Sequence, residues 1–325
     1  MRVGRWVVAL LASAGTLGGC SNAGQDRILA VQGTGIVNGF LYFDRNGDGS
    51  YDAGDTVLTG VAVHLIVSGT VDTVGSAKSD TAGLVRFALV PAGPVTFTVD
   101  STTLPVGGLH VLNISAPSLV IAPGDSFGVR VRASYLQLGV PQARTVAAGT
   151  KVFVVGVALN PANVFGDSTV HMADTLAAIL VTRVRGLVSV GDSIRWLAVR
   201  STRNGQPTLD NPTLYPLGQA AATPALPVAA AVAAAAQGGA IDAALVQLTR
   251  VTVADTATVA GNLHLTVKDN SGTCTVQLDT VAGFRGFGLA ADTVGDTLNV
   301  TGVLSPNGSG AWIVLPRSTA DVVPQ

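Results

Sequence analysis

Beyond residue 33 the chain is a succession of short apolar runs, each cut off by Gly, Pro, Asp or Ser. In "GVAVHLIVSG" (60–69) and "GVRVRAS" (128–134) apolar side chains recur at every second residue for most of the run. That period is the mark of a half-buried strand, and turn residues at such close intervals leave little room for long helices. The composition agrees. Apolar residues make up 48% of the 325 and charged residues only 12%, about half the usual charged share. The length predicts two or three domains at about 100–200 residues each, and the pattern predicts that they are all-β.

Within residues 34–135 the runs "GIVNGFLYF" (35–43), "KSDTAGLVRFALVPAGPVTFTVD" (78–100) and "LVIAPGDSFGVRVRAS" (119–134) predict a β-sandwich. The first run leads into "DRNGDGSYDAGD" (44–55), which gathers four Asp and one Asn into twelve residues. The spacing follows D-x-[DN]-x-[DN]-G-x5-E, the pattern of a calcium loop, with Asp in place of the final Glu. In such a loop positions 1, 3 and 5 point inward and the Gly allows a sharp turn. The next residue gives its carbonyl, and the last two acidic positions close the shell. The predicted ligands are therefore Asp44, Asn46, Asp48, Ser50, Asp52 and Asp55, around Ca2+. A divalent cation would relieve the repulsion among four crowded carboxylates, and its binding would add to folding stability. The flanks read as strands, so no helix-opening switch is expected.

Four features in order resemble the B-type repeats of serine–aspartate surface proteins (SdrD B-like), related to prealbumin-like and carboxypeptidase-regulatory-like sandwiches. They are "YFDRNGDGSYDAGD", "LTGVAVHL", "SDTAGLVRF" and "VPAGPVTFTV", all within residues 34–101. The resemblance implies a non-catalytic, calcium-rigidified stalk or adhesive module. Lys78 falls in the wrong strand for the Lys–Asn isopeptide bond of related pilin-type modules, so none is expected.

The remainder holds a weak internal repeat. "STVHMADTLAAILV" (168–181) pairs with "GNLHLTVKDNSGTCTVQLD" (261–279), which sets His171 against His264. "SVGDSIRWLAVRSTRNGQPTLDN" (189–211) pairs with "TVGDTLNVTGVLSPNGSGAWIVL" (293–315). In each copy a Val-Gly-Asp turn starts a strand and Asn-Gly, a strong hairpin signal, leads to the next. A duplicated small barrel is expected, with domains at 145–218 and 244–325. "LDNPTLYPLG" (209–218) and "GSGAWIVLPRSTADV" (308–322) resemble the OB-fold-type domains of secreted bacterial nucleases and other surface proteins. The Ala-rich segment within 219–243 predicts a short joining helix, stopped at Gly238-Gly239.

Residues 144–325 balance eleven Lys and Arg against eleven Asp, and their aromatics are spaced as one core residue per strand. Single-strand nucleic-acid binders need a positive groove with aromatic platforms, so nucleic acid is not expected as a partner. The alternative reading, barrels that grip single-stranded nucleic acid or glycan, requires Arg183, Arg185, Arg195, Arg200 and Arg203 to surround a groove floored by Trp196.

At the N-terminus Arg2 and Arg5 precede a twelve-residue apolar run that ends in Leu17-Gly18-Gly19-Cys20. The run suits a signal-peptide core and is too short to span a bilayer. Its end resembles the bacterial lipobox, which implies a signal peptide at 1–20, lipidation of Cys20 and a tether at 21–33. Ser21 after the Cys points by the same resemblance to the outer membrane. Membrane attachment through Cys20 is therefore expected, with an envelope or extracellular protein or glycan as ligand. Cys274 is left as a small buried hydrophobe in a strand.

The sequence argues against catalysis. All twenty acidic residues are Asp, so no mechanism with a Glu base is available. No His lies at metal-ligand spacing. Gly124-Asp125-Ser126-Phe127-Gly128 matches G-x-S-x-G but reads strand–turn–strand, whereas a nucleophile elbow needs a helix after the turn. The expectation is a non-catalytic lipoprotein of the cell envelope, built from a calcium-binding sandwich and two OB-like barrels.

Overall fold

The computed structural model describes residues 33–284, 293–308 and 310–325. It is all-β, with two short helices.

The sandwich comprises β1 (Thr34–Phe43), β2 (Thr56–Val57), β3 (Ala62–Val67), β4 (Thr73–Lys78), β5 (Leu84–Pro91), β6 (Gly93–Val99), β7 (His110–Ile114), β8 (Ser118–Ile121) and β9 (Ser126–Ser134). One sheet runs β2–β1–β9–β7, with β5 also on β1, and the other runs β4–β3–β6–β8. β1 and β9 pair in parallel, so the last strand lies beside the first. The alternation read from the sequence is realised. Val37 and Leu41 of β1, Val63 and Leu65 of β3, and Val129 and Val131 of β9 are buried between the sheets. Gly39 belongs to the same inward row. A Cβ there would stand 2.8 Å from the Phe97 ring and 2.5 Å from Val85, so the ring occupies the space that glycine leaves.

The first barrel is β10 (Leu136–Leu138), α1 (Val140–Thr145), β11 (Lys151–Ala158), β12 (Val170–Ala173), β13 (Ala178–Thr182), β14 (Asp192–Arg203) and β15 (Gln206–Gln219). Its sheet runs β10–β11–β12–β13–β15–β14, and β14 closes back on β11. The second is β16 (Leu226–Pro227), α2 (Ala230–Ala235), β17 (Leu245–Val259), β18 (Asn262–Asp269), β19 (Gly272–Leu278), β20 (Thr297–Pro306), β21 (Trp312–Leu315) and β22 (Val322–Pro324). It repeats the order, with β20 closing on β17. In both barrels the third and fifth strands of the closed ring are parallel: β13 with β15, and β19 with β21. The same closed-ring strand order therefore occurs twice along the chain.

The repeat begins earlier than the sequence pattern indicates. Each copy opens with a short strand and a one-turn-and-a-half helix whose small side chains plug the barrel. Val140 and Ala143 of α1, and Ala230 and Ala233 of α2, are fully buried. The Ala-rich run forms a short helix that ends at Ala235, where Ala236 turns left-handed ahead of the predicted Gly238-Gly239 stop, and the helix packs into the core of the second barrel as well as joining the copies. A hairpin Asp caps both helices. The Val140 N–H donates to Asp174 Oδ2 at 2.7 Å, and the Ala230 N–H donates to Asp269 Oδ2 at 2.9 Å. With these Asp residues aligned, His171 stands three residues before its anchor and His264 five. The two histidines are therefore offset by two residues instead of occupying matched places.

The modules share cores. Phe153 and Leu197 of the first barrel belong to the apolar cluster of the sandwich. Leu159, Ala173, Ala178 and Leu180 of the first barrel pack with Leu245, Val303, Ile313 and Leu315 of the second.

Candidate metal site and the joint around it

The acidic loop leaves the end of β1 and returns in β2. Backbone N–H groups that have no ladder partner in this turn are taken up by the loop's own side chains. Asp44 is fully buried. Its Oδ1 accepts from the N–H groups of Gly47 (2.7 Å) and Asp48 (3.2 Å), and its Oδ2 from Gly49 (2.9 Å). Arg132 of β9 stands 3.4 Å from the same carboxylate. Asn46 Oδ1 takes the Asp48 N–H, Asp48 Oδ1 takes the Ser50 N–H, and Asp52 Oδ1 takes the Gly54 N–H. Asp55 accepts from the Arg45 and Asp52 N–H groups. Gly47 and Gly49 have φ of 72° and 94°, a left-handed backbone that glycine adopts without strain.

What this leaves for a cation is a convergent pair. The second oxygens of Asp48 and Asp52 both face the Asn46 side-chain amide nitrogen, at 2.9 and 3.2 Å. The neutral Asn46 amide thus donates to both carboxylates, whose oxygens are of the kind a hard cation takes. The six predicted ligands do not all meet at one point. Among the described residues no group of three or more acidic, His or Cys side chains stands in metal-holding geometry. Asp44 is occupied as the structural cap of the turn. The loop carboxyls are shifted in opposite directions. Burial holds the Asp55 carboxyl above the usual carboxylate range, and the neighbouring Asp44 and Asp52 charges add to this against the hydrogen bonds from Arg45 and Asp52. The Ser50 N–H holds Asp48 below that range, opposed by slight burial and assisted by Asn46 and by the charge of Arg195.

The loop is also the joint between modules. Four successive carbonyls are gripped from outside it. Ser134 Oγ donates to Asp44 O (2.6 Å), Tyr215 Oη to Arg45 O (3.0 Å), Arg195 Nη1 to Asn46 O (3.1 Å) and Gln137 Nε2 to Gly47 O (2.5 Å). The last three side chains belong to the first barrel. Sequence reasoning missed this grip, because Tyr215 lies 170 residues from its partner.

The other candidates fall elsewhere. Cys20 lies outside the described residues, as does most of the predicted tether. Cys274 is buried in β19, and burial pushes its thiol up to about 12. Ser126 opens β9, so the G-x-S-x-G segment is strand–turn–strand. The five arginines do not surround a groove at Trp196. That ring is fully buried in the core of the first barrel. Arg183 pairs with Asp210 and Arg203 with Asp167, Arg195 holds the acidic loop, and Arg200 donates to the Arg144 carbonyl. Arg185 lines a separate open cavity of about 540 Å³ beside Leu187 and Asp192. Among the described residues no helix is long and apolar enough to cross a membrane.

No protein-family profile matches the sequence, and no curated protein matches it. Solved structures superpose weakly. The major pilin subunit BcpA of Bacillus cereus aligns at 10% identity and a TM-score of 0.28, over 90% of this chain and 94% of its own. A minor pilin of Streptococcus agalactiae aligns at 15% identity and a TM-score of 0.25, over 32% of this chain, which spans 46% of that pilin. A murine DNA-binding protein, solved with double-stranded DNA, aligns at 12% identity and a TM-score of 0.28, over 53% of this chain and 94% of its own. Superposition at this level carries no activity or ligand across to this chain.

Proposed function

We propose that this chain is a non-catalytic scaffold of the bacterial cell envelope, in which a calcium-stiffened loop locks a β-sandwich to a pair of OB-like barrels. The observation that carries the reading is the grip of Ser134, Tyr215, Arg195 and Gln137 on four consecutive carbonyls of the acidic loop. A loop held in this way transmits any stiffening to both neighbours. Asp48 and Asp52 would be the ion's first pair, and Asn46, Ser50, Asp55 and Asp44 would complete the shell only by turning from the contacts they now make, Asp44 from its caps on Gly47, Asp48 and Gly49. When bound, calcium would neutralise the crowded carboxylates.

Lipid attachment at Cys20 would tether the body to the outer membrane and present it to an envelope or extracellular partner. The commitment of four of the five barrel arginines to internal contacts weighs against the barrels as a nucleic-acid groove. Calorimetry of the mature protein with calcium and with EDTA tests the ion. The expected result is a titratable heat and a melting temperature raised by calcium. At a hundredfold excess over Kd the stabilisation is about 2.7 kcal/mol. A flat titration with an unchanged melting temperature refutes the ion site.

A further inference from the structure

The outer face of the first sheet carries a built shelf that the scaffold reading does not use. Parallel register sets Phe40 of β1 beside Arg130 of β9, and Tyr42 beside Arg132. On the far side Asn113 of β7 pairs with Arg132, and Ser115 accepts the Arg130 N–H at 2.9 Å. Two rows therefore cross β1 and β9 and end on Asn113 of β7 and on Ser115 just past it, each reading aromatic, guanidinium, then amide or hydroxyl. Tyr51 of the acidic loop walls one end. Its ring packs edge-on against Phe40 and Tyr42, with centroids 4.9 and 5.3 Å away. The open hollow they line measures about 420 Å³.

We infer that this shelf is a binding site for a carboxylate-bearing glycan, of the uronate or sialate class. The half-exposed Tyr51 offers an apolar ring face on which a pyranose can lie, with the partly exposed Phe40 ring packed behind it. Asn113 and Ser115 are exposed and suit hydroxyl groups. Arg130 is exposed, and among the described residues no carboxylate pairs with its guanidinium, whose planar fork matches a carboxylate. Arg132 is already partly neutralised by Asp44.

The surroundings narrow the ligand. Asp48, Asp52 and Asp55 lie in the adjoining loop, so a polyphosphate chain meets like charge where a single carboxylate reaches Arg130 with less repulsion. The shelf lies across the interior of the sheet, where β1 and β9 already have neighbours on both sides. On the β9 side the free edge of this sheet is β7, so an extended peptide added there would lie beyond Asn113 and away from the aromatic rings. The inference goes beyond the scaffold reading and does not require the ion.

Titration calorimetry of the mature protein with methyl galacturonide and with sialyllactose, each carrying a single carboxylate, tests it, in EDTA and again in calcium. Binding of at least one probe in EDTA is expected, weakened about tenfold or more by Arg130→Gln and by Tyr51→Ala, and lost with the methyl-esterified uronate. Both substitutions are at exposed positions, and unchanged melting curves verify the fold. No binding of either probe, equal binding by Arg130→Gln, or preference for a neutral glucan, an oligonucleotide or a peptide overturns the inference. The EDTA arm separates failure of the shelf from failure of the ion site.

Discussion

His171 offers the most quantitative test of how the two barrels are joined. It lies on β12, between Met172 in the first barrel's core and the face shared with the second barrel. The imidazole is buried and packs edge-on against Phe165, with ring centroids 6.2 Å apart. Nδ1 lies 3.0 Å from Asn160 Oδ1, which also takes the His171 backbone N–H at 2.7 Å. Burial pushes its pKa down to about 4, Asp167 raises it, and Arg203 opposes Asp167. The ring is therefore neutral in the folded protein through the range where the unfolded chain, near the ordinary 6.5, takes up a proton. Its contribution is fully present above about pH 6.5 and is lost as pH falls toward 4. The difference amounts to about 3 kcal/mol, or about 6–12 °C in Tm for a unit of this size. His171→Leu removes the titration and leaves the backbone N–H to Asn160 in place. Urea unfolding of both proteins at steps from pH 7.5 to 4 isolates the effect, because every other titrating group cancels in the difference. The wild type should lose about 3 kcal/mol more than the variant across that window. Parallel curves, or an imidazole that titrates near 6.5 by NMR, would refute the burial argument.

Two further substitutions probe the packing. Arg144 and Asp242 form a buried ion pair between the barrels, and Arg144 also donates to the Ala178 and Gly239 carbonyls at 2.8 and 2.9 Å. Arg144→Met leaves Asp242 buried and unpaired and should cost about 3–5 kcal/mol in urea unfolding, with part of the loss recovered by adding Asp242→Asn. At Gly302 of β20 a Cβ would stand 2.7 Å from the Leu315 backbone, which cannot swing away as a side chain can. Gly302→Ala should lower stability by about 1–3 kcal/mol or more, while Gly261→Ala, whose Cβ would meet nothing within 4 Å, measures only the cost of its positive φ.

The features legible in the sequence were those that depend on near neighbours. Alternation located the long strands because a half-buried sheet needs one face apolar, and Asn204-Gly205 marked a hairpin because both residues take positive φ, at 51° and 78°. The acidic loop announced its turn chemistry because its side chains cap N–H groups two to five residues ahead. What was hidden depends on distance or on very short elements. β10 spans three residues and α1 six, with Pro141 in its first turn, so neither displays a period. The offset between His171 and His264 was hidden because it shows only when the helix-capping Asp174 and Asp269 are aligned. Arg195 was readable as a charge but not as a clasp on Asn46, 149 residues away.

The hidden contacts decide whether the modules move independently. A hinge between sandwich and barrel would expose Phe153 and Leu197, now 1% and 6% accessible, to water. It would also strip three loop carbonyls of their partners. Burying two large apolar side chains is worth about 1.5–3 kcal/mol each, and each hydrogen bond adds about 1 kcal/mol net. Opening the joint therefore costs several kcal/mol before any ion is counted. A cation is not needed to create the joint. It would act on a loop already docked, relieving the strain of Asp55 beside Asp44 and Asp52. That division of labour places the apolar contact as the source of rigidity and the carboxylates as its adjustable part. It also keeps the wall of the Phe40–Arg130 shelf, Tyr51, on the segment that calcium would tighten.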